Sequence, residues 1–253
     1  MKVIILAAGY ATRLYPYTKD LTKALLPIAG KPIIEYTIQK IAACRDIEKI
    51  YIVTNNKFFE QFKIWLAEYE DQLQAVNNPA IEIINDGTNS NRERLGSIGD
   101  LWLVIESKQL DDDLMVICPD KMFEFSLADF VDFFEDRRAA VNTCCDVGDI
   151  ELLRNKHGCV VVNEQGMIVE FQEKPAQPKS TIKSIAFYIF PGSTIPLIQQ
   201  YLSEDNNKDA PGFLAQWLVK KVSMYAFLFA EECYDIGNPD TYHRVNEIYT
   251  KKG

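Results

Sequence analysis

The sequence lacks a long apolar stretch and any low-complexity tract. Its uninterrupted apolar runs fall well short of the roughly 18 residues that suggest a membrane span, so we expect no membrane partner. The few apolar residues after Met1 and Lys2 are also too short for a signal peptide. These absences predict a cytoplasmic protein.

Positive charge is scarce as well. The chain carries 27 Lys and Arg residues against 36 Asp and Glu residues, which gives a net charge of -9. This balance argues against non-specific binding to nucleic acid or to an anionic membrane. If the substrates are anions, the cations that hold them must be concentrated locally.

The six cysteines do not form a metal-binding pattern. No C-x-x-C pair occurs, and Cys144 and Cys145 are adjacent, which suits neither zinc spacing nor a disulfide framework. Most lie in apolar surroundings, so we interpret them as reduced core thiols.

What the chain does contain is an alternation of short apolar runs with helical patterns. This alternation predicts an α/β fold with a mainly parallel sheet flanked by helices, and ligands then bind beyond the carboxyl ends of the strands. No Pro/Ser-rich linker divides the 253 residues, so we predict a single domain. The predicted strands include residues 1–7, 49–54, 80–84, 114–118 and 139–145, and the predicted helices include 33–43, 58–69, 98–105, 127–137, 213–221 and 239–250.

The stretch LAAGYATRLYP, residues 6–16, directly follows the first predicted strand. Ala7, Ala8 and Gly9 have almost no side chain, so backbone amides there can approach a ligand closely. Exposed amides beside the cation Arg13 are a natural site for phosphate. The dinucleotide-binding pattern G-x-G-x-x-G is absent, which argues against a dinucleotide turn.

Extended to residue 36, this stretch resembles the opening motif of the sugar-1-phosphate nucleotidyltransferases, L-A-A-G-x-G-T-R-L-x-P-x-T followed by K-x-L-L-P and K-P. The resemblance implies a Rossmann-like fold of the nucleotide-diphospho-sugar transferase type. It also implies an NTP-binding part at about 1–125 and a sugar-phosphate-binding part at about 126–253. Arg13 would bind the departing pyrophosphate and Lys23 would balance phosphate charge, and the nucleotide would lie against Leu6, Ala8, Gly9, Thr12 and Arg13.

The same resemblance implies a magnesium site. Asp120, in CPDKMF, and Asp235, in YDIGNPDTY, match the two metal carboxylates of the family, so Mg²⁺ is the expected cofactor. Pro119 and Lys121 replace the usual Gly and Asn around Asp120. Two orientations stay open for Lys121, one turned outward and one competing with the metal for Asp120.

Residues 158–175, GCVVVNEQGMIVEFQEKP, match the sugar-binding hairpin of the family. The match implies a sugar site at Gly158, Glu173, Lys174 and Tyr188. Glu173 would accept hydrogen bonds from sugar hydroxyls, and Lys174 would bind the sugar phosphate and the α-phosphate as a catalytic cation.

Three further regions depart from the family. Ala11 and Ala186 each stand where a glycine is usual, and alanine in a left-handed conformation costs roughly 1–2 kcal/mol. The polar loop 85–99 offers Asn85 or Asn89 and the pair Gly96-Ser97 as base-binding candidates, but it differs from the usual sequence. Base identity therefore stays open.

The expected reaction joins a sugar 1-phosphate, glucose 1-phosphate above all, to a nucleotidyl unit from dTTP or UTP and releases pyrophosphate. One alternative is a CTP-dependent cytidylyltransferase acting on phosphocholine or another small alcohol phosphate. The other is a catalytically inactive binding or regulatory module of the same fold. Self-association into a homo-oligomer also stays open.

Overall fold

The computed structural model describes residues 1–72 and 79–252. These residues form thirteen strands and seven α-helices. The helices are α1 Ile33–Ala42, α2 Phe59–Gln72, α3 Ser97–Lys108, α4 Leu127–Arg137, α5 Ile195–Ser203, α6 Pro211–Leu218 and α7 Pro239–Lys252. The strands are β1 Lys2–Leu6, β2 Pro27–Ile28, β3 Lys31–Pro32, β4 Lys49–Thr54, β5 Ala80–Asn85, β6 Leu114–Ile117, β7 Lys121–Phe123, β8 Ala140–Asp146, β9 Cys159–Val162, β10 Ile168–Gln172, β11 Ile182–Phe190, β12 Met224–Leu228 and β13 Cys233–Asp235.

The chain divides into two compact units, each built from several segments. The N-terminal unit comprises Val3–Arg94, Cys118–Ala128 and Glu231–Gly253, and the central unit comprises Met1–Lys2, Leu95–Ile117 and Asp129–Ala230.

The N-terminal unit contains parallel strands whose carboxyl ends carry polar or small residues. Strand β4 lies between β1 and β5 and pairs with β5 in parallel, with Thr54 opposite Asn85. Residues 3–6 are buried, as expected for a strand covered on both faces. The loops that follow these strands therefore begin at neighbouring points of one sheet edge.

Two very short strand pairs complete this unit. Strand β2 pairs with β3, and β7 pairs antiparallel with β13. Leu14, Met122 and Ile236 belong to a single buried cluster with side chains from the start of the chain and from α7. The cluster holds together segments that are far apart in the sequence.

The central unit is mainly antiparallel. Its strands run in the order β10-β9-β11-β6, with β8 antiparallel to β11 and β12 parallel to β8. The register of β11 against β8 shifts between Ser184 and Tyr188, and Ala186 within this shift has a φ of 61°. A residue in the left-handed region is a common feature of a β-bulge, and glycine is the residue that adopts it without strain.

The predicted α/β class, a mixed sheet with flanking helices, is confirmed. A helix is predicted over 213–221, but α6 begins two residues earlier, at Pro211, and ends at Leu218. The fixed φ of proline suits the first helical position. No helix among the described residues has the length and hydropathy needed to cross a membrane.

Candidate functional site

The loop after β1 is fixed by side chains at the carboxyl end of β4. The carbonyl of Ala8 accepts a hydrogen bond from Asn55 Nδ2 at 2.8 Å, and that of Ala7 accepts one from Thr54 Oγ1 at 3.4 Å. Asn55 is fully buried, and its Oδ1 accepts from the Phe58 amide at 3.2 Å. The backbone path at the end of β1 is therefore set by a buried amide side chain.

Gly9 is exposed at the point where the chain leaves this support. A Cβ built at Gly9 meets no described atom within 4 Å, and its φ is outside the left-handed region. A side chain at this position would therefore fit in the structure as it stands. The position is open for a ligand to lie against the backbone.

Ala11, which stands where the resembled motif has a glycine, adopts the left-handed conformation. Its φ is 44° and its ψ is 41°, and its carbonyl accepts a hydrogen bond from Thr18 Oγ1 at 2.8 Å. The short 3₁₀ turn Thr12–Leu14 follows directly. Leu14 is buried while Arg13 and Thr12 are exposed, so the hydrophobic anchor presents the predicted phosphate-binding residues to solvent.

The predicted base-binding loop is organised by its own amide side chains. Asn85 Oδ1 accepts from the Gly87 amide at 2.9 Å, and Asn85 Nδ2 donates to Asn56 Oδ1 at 2.9 Å. Asn56 Nδ2 in turn donates to Asn89 Oδ1 at 2.7 Å. Asn85 and Asn89 are thus joined through Asn56, and base recognition by either residue stays a prediction.

Gly96 is the N-cap of α3 in the central unit, and its position requires glycine. Its φ is 79°, and a Cβ there would lie 2.5 Å from the carbonyl oxygen of Lys208. Ser97 is the first residue of α3, and its hydroxyl donates to the Asp209 carbonyl at 3.1 Å. These contacts fix the start of α3 against the segment before α6.

Asp120, Asp235 and two lysines form one cluster in the N-terminal unit. Lys121 Nζ lies 2.5 Å from Asp120 Oδ1 and 4.0 Å from Asp235 Oδ2. Lys23 Nζ lies 3.3 Å from Asp120 Oδ2. The structure therefore brings together both predicted metal carboxylates and the predicted phosphate cation Lys23, and it places the ammonium of Lys121 between the carboxylates.

Lys121 faces the carboxylates because of its place in β7. It is the direct partner of Asp235 in the antiparallel pair β7–β13, so the two side chains share one face of the pair. Met122, the next residue, points to the opposite face, where it joins the buried cluster with Leu14. The outward orientation that the sequence left open for Lys121 is wrong, since its side chain is only 8% exposed.

The charges of this cluster stabilise one another. Burial by itself raises the pKa of the Asp120 carboxyl, but attraction to the ammonium groups of Lys121 and Lys23 outweighs it and lowers that pKa. For Lys121, burial favours a lower pKa, but Asp120 and Asp235 outweigh it and raise the pKa above its usual value. Burial raises the pKa of the nearby Cys118 thiol to about 12. Asp120 and Lys121 are therefore an ion pair at neutral pH.

A Mg²⁺ ion shared by Asp120 and Asp235 does not fit this arrangement. Mg²⁺ binds oxygen ligands at about 2.0–2.1 Å and needs their lone pairs. Here an ammonium group already occupies Asp120 Oδ1 and stands beside Asp235 Oδ2. Within residues 1–72 and 79–252, no group of three or more His, Cys, Asp and Glu residues is placed to hold a metal ion.

In the central unit, the carboxylate of Glu173 lies in a cradle made by two glycines. A Cβ at Gly212, near the start of α6, would lie 1.9 Å from Glu173 Oε2, and a Cβ at Gly158 would lie 3.2 Å from it. The Glu173 amide donates to Gln216 Oε1 of α6 at 2.8 Å. The Glu173 side chain is 8% exposed, so α6 and the hairpin β9–β10 together fix its position.

Lys174 extends from the same place towards solvent. It has a φ of 47° and a side chain that is 48% exposed, and its Nζ lies 3.5 Å from Glu173 Oε1. Tyr188 is fully buried, its ring stacks on Phe190, and its hydroxyl lies 3.4 Å from Ser184 Oγ. A direct contact of Tyr188 with a sugar stays a prediction.

Sequence reasoning missed three residues that position the site. Asn55 follows directly after a predicted strand, and that place at the carboxyl end of β4 is the signal that could have identified it. Gly212 follows Pro211, and a Pro-Gly pair is more typical of a turn, so the sequence did not indicate its role in the cradle. Nothing in the sequence marks Gln216.

Comparisons with known proteins identify the family of the chain. The family model described as nucleotidyl transferase matches residues 2–252. A putative mannose-1-phosphate guanyltransferase from Sulfolobus acidocaldarius is 28% identical over 257 residues, and a UTP–glucose-1-phosphate uridylyltransferase from Synechocystis is 27% identical over 257 residues. Each alignment covers 100% of this chain and 64% of the relative, so the chain spans less than two thirds of their length.

The fold also has a solved counterpart. A crystal structure of UDP-glucose pyrophosphorylase complexed with UDP-glucose superposes with a TM-score of 0.82, at 22% sequence identity, over 100% of this chain and 99% of that one. At this identity the likeness concerns the fold. Together with the match of the family model over almost the whole chain, it confirms the resemblance predicted from the motifs: the chain belongs to the nucleotidyl transferase family.

Proposed function

We propose that the chain transfers a nucleotidyl group from a nucleoside triphosphate to a sugar 1-phosphate and releases pyrophosphate. The observation that carries the proposal is the cradle of Gly158 and Gly212 around the Glu173 carboxylate, beside the exposed ammonium of Lys174. A fixed carboxylate next to a cation suits a ligand that has both hydroxyl groups and a phosphate. The names of the two curated relatives, both sugar-1-phosphate nucleotidyltransferases, support the same reaction.

The chemistry needs positioning and charge neutralisation more than a nucleophilic side chain. A sugar phosphate oxygen attacks the α-phosphorus, the bond to the β-phosphate oxygen breaks, and pyrophosphate leaves with its electron pair. Lys174 would neutralise the attacking phosphate, and Arg13 and Lys23 would neutralise the triphosphate. Glu173 would orient the sugar through its hydroxyl groups.

Glucose 1-phosphate with UTP or dTTP is the substrate pair that we propose. The uridylyltransferase relative and the complex with UDP-glucose support glucose and uridine, whereas the guanyltransferase relative is named for mannose 1-phosphate. Asn85 and Asn89 stay the candidates for base recognition, and both are joined to Asn56 by hydrogen bonds. A cytoplasmic location stays a prediction.

The test is pyrophosphate release from a panel of substrates. We expect release with UTP or dTTP and glucose 1-phosphate, and much less with mannose 1-phosphate, N-acetylglucosamine 1-phosphate or phosphocholine. Turnover of CTP with phosphocholine would favour the cytidylyltransferase instead. No release with any pair, from protein shown to be folded, would contradict catalysis.

Two variants connect the activity to the cradle. Glu173→Gln keeps the shape of the side chain but removes its charge, and it should raise the KM for the sugar phosphate. Lys179→Ala is the matched control, because Lys179 lies on the same segment but forms an exposed ion pair with Glu170. An equal rise in the KM for the sugar phosphate in both variants would mean that the cradle has no specific part in the reaction.

A further inference from the structure

We propose that the ammonium group of Lys121 is the fixed cation between Asp120 and Asp235 and takes the place of a divalent metal ion held by the protein. The proposal concerns the cation of the site assigned to the proposed function. Its test uses no substrate, so its failure and the failure of the proposed function are distinguishable.

The first argument is occupancy. Lys121 Nζ is 2.5 Å from Asp120 Oδ1 and 4.0 Å from Asp235 Oδ2, and Lys23 Nζ is 3.3 Å from the other oxygen of Asp120. Both oxygens of Asp120 thus interact with ammonium groups. A dication would have to displace Lys121 to use these oxygens as ligands.

The second argument is that Lys121 is held in place. Its Cα is the register partner of Asp235, and its side chain is 8% exposed. The Ile236 amide donates to the Asp120 carbonyl at 2.9 Å, which closes the pair of strands at this end. Because Met122 and Ile236 lie in the buried cluster, β7 cannot rotate to release Lys121 without exposing them.

The third argument is charge balance. Asp120 and Asp235 contribute two negative charges, and Lys23 and Lys121 contribute two positive charges, so the four side chains are neutral together. With a neutral residue at position 121 the same group would carry one net negative charge, and only Lys23 would remain paired with Asp120. Lys121 therefore satisfies the electrostatic requirement that a metal ion would otherwise satisfy.

The experiment measures Mn²⁺ binding, without nucleotide or sugar phosphate, from the electron paramagnetic resonance signal of the free ion. Mn²⁺ prefers the same carboxylate oxygens as Mg²⁺. For the parent protein we expect the same weak binding as for Asp120→Asn. Changes around metal sites typically alter affinity by about 10–100-fold, so Lys121→Asn should gain about tenfold or more, and Lys121→Asn with Asp120→Asn should lose that gain.

Lys252→Asn is the matched control. Lys252 Nζ also bridges two carboxylates, Glu124 at 3.0 Å and Glu232 at 2.9 Å, but on the surface. The variant changes the net charge of the chain by the same amount as Lys121→Asn. It should not gain a Mn²⁺ site of comparable affinity, and an equal gain would overturn the specific assignment.

Two further results would overturn the proposal. One is Mn²⁺ binding by the parent protein that Asp120→Asn removes, because the carboxylates would then hold a metal despite Lys121. The other is a folded Lys121→Asn with no gain in affinity. If thermal unfolding shows that Lys121→Asn does not fold, the Mn²⁺ affinities of the parent and of Asp120→Asn test the proposal alone: equal affinities support it, and a loss in Asp120→Asn overturns it.

Discussion

Replacing Gly212 with alanine should disturb the sugar phosphate site and leave the fold intact. The new Cβ would lie 1.9 Å from Glu173 Oε2 and 2.6 Å from Glu173 Cδ, distances that no pair of non-bonded atoms tolerates. The atoms it meets are the end of a side chain, which can swing away. The variant should therefore displace the carboxylate without disrupting the backbone.

The magnitude follows from what Glu173 loses. A hydrogen bond to a charged group contributes about 1.5–3 kcal/mol, so kcat/KM for the sugar phosphate should fall on the order of 10–100-fold. Alanine is favoured over glycine within a helix by roughly 0.5–1 kcal/mol, which offsets part of the strain. We expect the free energy of unfolding of Gly212→Ala to stay within about 1 kcal/mol of the parent value.

A double-mutant cycle makes the prediction sharp. In a Glu173→Ala background the clash is absent, so Gly212→Ala should now stabilise the protein and cause no additional loss of activity. Steady-state kinetics with varied sugar phosphate and chemical denaturation supply both readouts. Additive losses of kcat/KM in the two variants, or an unchanged kcat/KM in Gly212→Ala, would refute the cradle as the sugar site.

Four more substitutions test the nucleotide side and the strained backbone. Gly9→Val should fold with near-parent thermal stability, because no described atom lies within 4 Å of a Cβ built at this position. Calorimetry should nevertheless show that NTP binding is lost, and normal NTP binding would mean that the loop has only a structural role. Ala11→Gly and Ala186→Gly should each raise the free energy of unfolding by about 1 kcal/mol in denaturant titrations, since φ values of 44° and 61° strain alanine, and a decrease in both would contradict that strain. Arg13→Ala should mainly raise the KM for the triphosphate, and an unchanged KM would exclude Arg13 from phosphate binding.

Elements with a clear local signal were predictable from the sequence, because their own side chains determine them. The apolar run of β1, the amphipathic pattern of α1 and the Asn-Pro start of α7 all correspond to observed elements. The strands β7 and β13 were not predicted, since three residues carry no periodic signal. They exist because each pairs with the other, which only the folded chain can bring about.

The candidate site was predictable in its residue types but not in its contacts. The motifs predicted Asp120, Asp235 and Glu173 as site residues. In the structure Asp120 and Asp235 lie beside Lys121, and Glu173 lies in the glycine cradle. The direction of Lys121 could not be read from the sequence, because it depends on the register of β7 with β13. The cradle of Gly158 and Gly212 joins residues more than fifty positions apart, and no local pattern reports such a contact.

The discontinuity of the N-terminal unit has a consequence for the order of events during protein synthesis. This unit needs Val3–Arg94, Cys118–Ala128 and Glu231–Gly253, whereas most of the central unit lies in the single stretch Asp129–Ala230. Contacts between distant segments require loop closure and form slowly. A ribosome-bound chain can therefore complete the Glu173 cradle before Asp235 has been translated, and the cluster around Lys121 is assembled last.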